Sequence, residues 1–376
     1  MPRLIIISNT SWNLFNFRLP LMAHLREAGF DVVAAAPHDE YSAAVEAAGF
    51  RYIELPMNNK GTNPLEDLGL MLRLSRIFRA EKPDVILTYT AKPNIYGALI
   101  AGLMSISVIP NISGLGNVFI RKSPVTGIVK FLYRLALRFS GCVFFQNQDD
   151  VDLFVELGLV ERIRAKRIPG SGINTSTYAP VSDMKQKHAG CIFLLVARML
   201  WDKGVGEFVE AARLVKKSHP EARFQLLGFL DVENPQAIAR EQMQQWVDEG
   251  VVEYLGVSDD VKSHMLAANC IVLPSYREGL PRTMLEGASL GKPLIATDVP
   301  GCRDVIEDRV TGFLCELKNC SDLAEKMEKM IHLPPTERAT MGELGREKVI
   351  REFDEKIVLD AYMRVVRQAI HGNRPI

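Results

Sequence analysis

Glu278 and Glu286 stand eight residues apart in the segment Tyr276-Arg-Glu-Gly-Leu-Pro-Arg-Thr-Met-Leu-Glu286. The apolar run Cys270-Ile-Val-Leu-Pro274 before it predicts a buried strand. Gly279 and Pro281 then break the chain, and Thr283-Met-Leu-Glu-Gly-Ala begins a helical pattern. The first carboxylate therefore belongs to a strand-to-helix loop and the second to the first turns of the helix, so both can face one cavity. The backbone N–H groups of Leu280 to Thr283 lie between them at a helix N-terminus, which attracts phosphate. Carboxylates for hydroxyls beside N–H groups for phosphate suit a nucleotide-sugar ligand.

A second segment adds positive charge. The predicted strand Ile192–Ala197 runs into Arg198-Met-Leu-Trp-Asp-Lys203-Gly204 and then into a helix. Two cations at a strand end can hold a diphosphate whose negative charge grows as it leaves. The plainer reading is an exposed βα loop that happens to be basic. The glutamate pair downstream favours the phosphate reading.

These loops need a scaffold, and the rest of the chain describes one. Short apolar strands alternate with amphipathic helices from Leu4 onward, which predicts parallel strands with crossover helices in doubly wound α/β sheets. The turn-rich stretch Ile168-Pro-Gly-Ser-Gly-Ile-Asn-Thr-Ser-Thr-Tyr-Ala-Pro180 suits a linker, after which the alternation restarts. Two domains follow, with ligands expected at the strands' C-terminal ends. A length of 376 residues allows two substantial cores. The balance of 45 acidic against 45 basic residues argues against a dedicated nucleic-acid binder. Six cysteines without CxxC spacing read as small core residues in a reducing, cytoplasmic setting. No stretch reaches the ~20 apolar residues of a membrane span, so any membrane contact is expected to be peripheral.

Taken together, Arg198, Lys203-Gly204, Ser275-Tyr-Arg-Glu278-Gly-Leu-Pro281, Glu286, Gly291-Lys-Pro293, Gly301 and Thr311-Gly-Phe313 resemble the pattern of the retaining glycosyltransferases of family four. The resemblance covers nearly the whole chain. It implies the GT-B fold, two Rossmann-like domains facing across a cleft. It places an acceptor-binding domain at 1–170, a linker at 171–180, a nucleotide-sugar domain at 181–355, and a final helix at 356–376 crossing back to the first domain. It also implies that Arg198 and Lys203 hold the diphosphate, that Glu278 bonds the transferred sugar, and that Glu286 takes the ribose hydroxyls. Backbone amides from Gly279 through Leu280 and Pro281 to Thr283 would cover sugar and phosphates. The base would lie near Gly256 and Ser275.

The first half is less decided. Asn9 to Pro20 lacks the glycines common in that family, so it is read as a loop that is not a standard phosphate cradle. Trp12, Asn16 and Arg18 either meet an acceptor diphosphate or sugar, or Trp12 and Phe17 staple the following helix. Thr88-Tyr-Thr-Ala-Lys92-Pro-Asn94 has no donor-facing histidine, which leaves Thr90, Lys92 or Asn94 to serve. His24 and His38 read as ordinary surface or capping residues. Downstream of Ser113-Gly-Leu-Gly116 and Arg121-Lys122, the cations Lys130, Arg134 and Arg138 are four apart on one helical stripe. That stripe is either a membrane-facing surface for anionic lipid or a solvated cationic face.

Phe17-Arg18-Leu-Pro20, Lys92-Pro-Asn94-Ile-Tyr96-Gly97 and Gly114-Leu-Gly116 resemble bacterial enzymes that add N-acetylhexosamine to undecaprenyl-diphosphate-linked sugars. The expectation is therefore transfer from a UDP-sugar to a polyprenyl-diphosphate-linked acceptor at the cytoplasmic face of the inner membrane, with retention of configuration. No cofactor is expected. The two cations would replace a metal, and no Asp-x-Asp triplet for manganese or magnesium is expected in the chain. Two rivals stay open. A non-hydrolysing sugar-nucleotide epimerase would interconvert the donor alone, and a nucleotide-sugar-binding protein would not turn over.

Overall fold

The computed structural model describes residues 1–59, 63–115, 124–181 and 190–372. Gly116, Arg121 and Lys122 lie outside the described residues. The chain divides into two compact units, Met1–Ser171 with Lys356–Ile376, and Gly172–Glu355.

The first unit holds strands β1 (Arg3–Ile7), β2 (Asp31–Ala36), β3 (Arg51–Glu54), β4 (Val85–Tyr89), β5 (Ser107–Ile112), β6 (Val143–Phe145) and β7 (Ala165–Arg167). Their order is β3-β2-β1-β4-β5-β6-β7, with every neighbouring pair parallel. Ile5 pairs with Ile86 and Ile6 with Leu87 in the middle of the sheet. Both faces of these strands are covered, which is why β1 and β4 are almost uninterrupted apolar runs. The helix Glu355–Ile370 lies on one face through Val358, Tyr362 and Val366. The Tyr362 ring sits 4.7 Å from that of Phe144.

The second unit repeats the plan with β8 (Ile192–Val196), β9 (Arg223–Leu227), β10 (Glu253–Tyr254), β11 (Cys270–Leu273), β12 (Leu294–Thr297) and β13 (Gly312–Cys315). The order is β10-β9-β8-β11-β12-β13, again parallel throughout. In each sheet the strand order reverses beside the first strand, at β1/β4 and at β8/β11. Such switch points leave a crevice at the strands' C-terminal ends.

The segment expected to be a linker is fastened to the second unit. Ile173 N–H donates to Phe353 O and Glu355 N–H to Ile173 O, both at 3.0 Å. The Thr175 hydroxyl bonds Asp354 at 2.6 Å. A Cβ on Gly172 would stand 2.5 Å from Glu355 Cα, so only glycine fits this crossing.

The stretch expected as a loop after β1 is helical. Thr10 caps a short turn at Ser11–Asn13, a π turn follows at Leu14–Arg18, and the helix Leu19–Glu27 continues from it. A second π turn, Pro93–Gly97, follows β4. Each π turn lies beside a proline, Pro20 or Pro93, whose missing N–H cannot serve an α-helical bond.

Candidate active site

Lys203 and Glu278 meet at the switch point of the second sheet. Lys203 ends a 3₁₀ turn, Trp201–Lys203, on the loop after β8, and Glu278 lies on the loop after β11. Lys203 Nζ is 2.5 Å from Glu278 Oε1, and the two side chains keep only 20 % and 14 % of their exposure. The backbone makes this approach possible. Gly204 has φ +73°, and a Cβ there would collide with Pro274 O at 2.0 Å. Tyr276 N–H and the Ser275 hydroxyl both donate to Asp202 O, at 2.9 and 3.2 Å. Thr297 in turn donates to Ser275 O. The two loops are thus laced together, which fixes the cation against the carboxylate. Gly301 (φ +81°) approaches from β12, where a Cβ would sit 2.6 Å from Gly279 O. Arg198 differs from Lys203. It is exposed and makes no side-chain hydrogen bond or ion pair with the described residues.

Glu286 occupies the helix Arg282–Ser289 and is buried at 7 % exposure. Arg282 Nε, one turn back, donates to its Oε1 at 2.9 Å. Burial raises the Glu286 pKa from the usual carboxylate value, and Arg282 and Tyr178 partly offset that rise. Burial first, and then the Glu286 charge, push Tyr178 up to about 12. The phenol is therefore a donor near neutral pH. Pro281 precedes the helix without a side-chain cap, and Leu280 and Thr283 are part-buried beside it. The first-turn N–H groups thus have no capping side chain to compete with an anion. Gly256 (φ +73°) accepts from Gly228 N–H at 2.8 Å at the end of β10, and Tyr254 Oη donates to Gly228 O at 2.8 Å. The proposed donor residues therefore lie on loops at the C-terminal ends of β8, β10 and β11 or in the helix that follows β11.

In the first unit the structure corrects two expectations. Asn94 is 1 % exposed; Thr88 Oγ1 donates to its Oδ1 at 2.8 Å and its Nδ2 donates to Asn111 O at 2.7 Å. Both ends of its amide are committed to the sheet, so Asn94 is a structural tie rather than an acceptor ligand. Arg18 is 3 % exposed. It stacks over the Tyr89 ring at 3.9 Å and donates to Ser171 Oγ at 3.0 Å. Its Nε is buried without a hydrogen-bond partner. Asn16 is half-buried, donating to Trp12 O at 3.0 Å, and Trp12 packs edge-on to Phe17 at 5.1 Å. Lys92 pairs with Asp67 at 2.7 Å, and Tyr96 donates to the other Asp67 oxygen at 2.7 Å. Asp67 was not anticipated, because it lies 25 residues from Lys92 in a different helix.

Among the described residues there is no group of three or more His, Cys, Asp or Glu able to hold a metal ion. Against the expectation of none, the chain contains one Asp-x-Asp, Asp150-Val-Asp152, on the helix Gln148–Glu156 of the first unit. Asp150 is fully buried against Asn147, and Asp152 pairs with Arg162.

Of the cationic stripe, Lys130 and Arg134 lie on the helix Pro124–Leu137 and Arg138 directly follows its last residue. Arg134 donates to Leu157 O and Gly158 O at 2.8 and 3.1 Å, so it closes the end of a neighbouring helix. Arg138 is exposed and Lys130 part-exposed. Beside the stripe runs an exposed apolar ridge of Ile128, Phe131, Leu135 and Phe139, with Ile128 61 % and Phe131 64 % exposed. No helix among the described residues is long and apolar enough to cross a membrane.

Comparison with known proteins agrees with this geometry. The family described as glycosyl transferases group 1 matches residues 184–348, and the glycosyl transferase 4-like domain matches 18–170. The chain is 28 % identical to an N,N'-diacetylbacillosaminyl-diphospho-undecaprenol alpha-1,3-N-acetylgalactosaminyltransferase of Campylobacter jejuni, over 98 % of this chain and 99 % of that protein. It is 24 % identical to a UDP-Gal:alpha-D-GlcNAc-diphosphoundecaprenol alpha-1,3-galactosyltransferase of Escherichia coli, over 77 % of this chain and 76 % of that one. In fold it is similar to a glycosyltransferase from Rickettsia africae, at TM-score 0.81 and 19 % identity over 98 % of both chains. It is also similar to Anabaena HepE solved in complex with UDP, at TM-score 0.79 and 18 % identity over 98 % of this chain and 100 % of that one.

Proposed function

The chain belongs to the group 1 glycosyltransferases of the GT-B fold, and on that premise we propose that it moves an N-acetylhexosamine from a UDP-sugar to a polyprenyl-diphosphate-linked saccharide in bacterial glycan assembly, with retention of anomeric configuration. The observation that carries this reading is the 2.5 Å contact of Lys203 with Glu278 at the β8/β11 switch point. It brings a phosphate-binding cation to the carboxylate that would hold the sugar.

In this reading Arg198 and Lys203 take the diphosphate, Glu278 bonds the sugar hydroxyls, and Glu286 accepts from the ribose. The acceptor hydroxyl attacks the anomeric carbon from the face that the diphosphate leaves. The C–O bond to UDP breaks, the new glycosidic bond forms, and the departing phosphate oxygen takes the hydroxyl proton. No protein base is needed. Arg198 and Lys203 stabilise the charge that develops on the leaving group, and no metal is required.

Acceptor recognition falls to the first unit, where Asn16 and the Lys92–Asp67–Tyr96 cluster are the polar groups at the ends of β1 and β4. The lipid-linked acceptor is supported by the named activities of the Campylobacter and Escherichia relatives. The exposed ridge Ile128, Phe131, Leu135 and Phe139 beside Lys130 and Arg138 supports a peripheral contact with anionic lipid, at the cytoplasmic face of the inner membrane.

A donor panel tests the proposal. UDP release is followed for UDP-GlcNAc, UDP-GalNAc and UDP-glucose with a bacterial lipid extract as acceptor, and the product linkage is read by NMR. Extract-dependent UDP release with an α-linked product is expected. Interconversion of the donor without acceptor, or an inverted linkage, overturns it.

A further inference from the structure

Tyr276 stands two residues before Glu278 on the loop after β11, and its side chain crosses to the other donor loop. The phenol donates to Glu207 Oε1 at 2.6 Å. Glu207 lies in the first turn of the helix Val205–Lys216, four residues after Lys203. Tyr276 is thus held at two points across the same gap, by its N–H on Asp202 O at 2.9 Å and by its hydroxyl on Glu207. Lys318, on the turn after β13, covers the ring at 4.5 Å from its centroid. Burial first, and then the hydrogen bond to Glu207, raise the Tyr276 pKa, so the phenol keeps its proton and stays a donor. The second oxygen of Glu207 is buried without a hydrogen-bond partner, which leaves Tyr276 as the group that fixes this carboxylate.

The Lys203–Glu278 pair is itself a tie between the two loops. Under the assignment made above a donor loosens that tie, because Lys203 turns to the diphosphate and Glu278 to the sugar. The Tyr276–Glu207 bond uses neither group, so it outlasts the exchange. We propose that Tyr276 is a positioning residue for the sugar transfer: its hydroxyl, anchored on Glu207, keeps Glu278 at a fixed reach from Lys203 while a donor occupies both. The inference rests on the assignment of Lys203 and Glu278 to the donor.

Turnover and calorimetry of the full chain test it. Turnover is read as UDP release at saturating donor with the bacterial lipid extract, using the most active of UDP-GlcNAc, UDP-GalNAc and UDP-glucose. Calorimetry uses UDP alone, which has the diphosphate but no sugar. Tyr276→Phe keeps the ring and the N–H and removes only the hydroxyl. It should lower kcat by about ten- to a hundredfold, the scale of a slight misplacement at the reacting centre. UDP affinity should stay at the wild-type value, because Lys203 still reaches the phosphates. A merely structural role would instead weaken UDP in step with turnover.

Glu207 gives the second arm. Glu207→Ala removes the anchor and should lower kcat as far as Tyr276→Phe does. Glu207→Gln keeps an amide oxygen that can accept from the phenol, and should recover most of the turnover. The double variant Tyr276→Phe with Glu207→Ala should be no slower than either alone, since both break one bond. The contrast of Glu207→Ala with Glu207→Gln carries the test if Tyr276→Phe melts early.

The failures are separable. If Lys203→Ala and Glu278→Ala keep wild-type turnover, the donor assignment itself falls. If those two lose turnover while Tyr276→Phe and Glu207→Ala keep it, or if UDP affinity falls together with kcat in the latter pair, only the positioning role is overturned.

Discussion

Replacing Lys203 by Ala separates a structural role from a chemical one. The substitution removes the ammonium 2.5 Å from Glu278 and leaves that carboxylate, 14 % exposed, without its nearest cation. Breaking an exposed pair costs up to ~1 kcal/mol, and breaking a fully buried one ~3–5 kcal/mol. A pair that keeps 14–20 % exposure falls between, at about 2 kcal/mol. For a unit of this size that lowers Tm by roughly 4–8 °C. It barely changes the folded fraction at 25 °C if the chain has the usual ~5–15 kcal/mol of stability. Loss of one transition-state contact to a leaving group instead costs ~10²–10³ in kcat.

The two effects differ enough to be read apart. UDP release at saturating donor, well below Tm, gives kcat, and a thermal melt gives stability. Arg198→Ala is the contrast, because an exposed residue without a side-chain partner should leave Tm unchanged within about ±0.5 kcal/mol while kcat falls. Lys203→Arg keeps the charge and should restore part of both. If Lys203→Ala turns over within about threefold of wild type, it does not stabilise the leaving group at the magnitude expected here.

Four further predictions follow from the same site and its surroundings. Glu286→Ala should weaken UDP binding while Glu278→Ala mainly depresses turnover, with calorimetry and kcat reversing the assignment if they disagree. The raised Glu286 pKa makes its burial favourable below the ordinary carboxylate pKa and unfavourable as pH rises through the folded value, so Glu286→Gln should melt higher than wild type at neutral pH and lose that advantage on acidification. Turnover should survive EDTA, since Arg198 and Lys203 supply the positive charge; complete loss rescued by manganese refutes it. Replacing Ile128 and Phe131 by Ser, or Lys130 and Arg138 by Glu, should release the protein from anionic vesicles and spare UDP binding, as high salt should for the charge term; co-sedimentation like wild type reduces the ridge to an ordinary exposed surface.

The parts of this molecule legible in the sequence are those set by local pattern. The alternation of apolar runs and helical periods names both sheets, because buried parallel strands leave few polar positions to blur it. The spacing of the expected donor residues carried over into the fold for a related reason. Arg198 and Lys203 lie on one loop, Glu278 and Glu286 span one loop and one helix, and β8 pairs directly with β11, so short spacing became spatial proximity. The edge strand Ala165–Arg167 was missed because it is three residues long and polar.

Arg18 and Asn94 show where such reading fails. Polar type was taken to mean exposure, yet a polar group can be buried when its bonds are met inside. Asn94 spends both ends of its amide on Thr88 and Asn111, whereas Arg18 lies on the Tyr89 ring with its Nε left without a partner. These partners come from separate strands and helices, and nothing in the local spacing announces them. The π turns after β1 and β4 add to the difficulty, since one extra residue per turn rotates every later side chain away from its α-helical position.

The donor charges themselves suggest how affinity and rate are divided. Lys203 is satisfied by Glu278, and Glu286 by Arg282. A diphosphate or a ribose reaching these groups therefore shares or exchanges hydrogen bonds rather than neutralising bare charges, and each exchange yields only a modest net gain. Such pairing limits the cost of burying four charged side chains near one another. It also limits ground-state affinity for the donor. The balance changes when the glycosidic bond stretches. Charge then builds on the leaving phosphate, and Arg198, exposed and without an internal side-chain partner, together with the Lys203 ammonium can strengthen their hold at that moment. Under the proposed donor assignment, such a site would bind its donor loosely and put most of its electrostatic energy into the transition state, where it raises turnover.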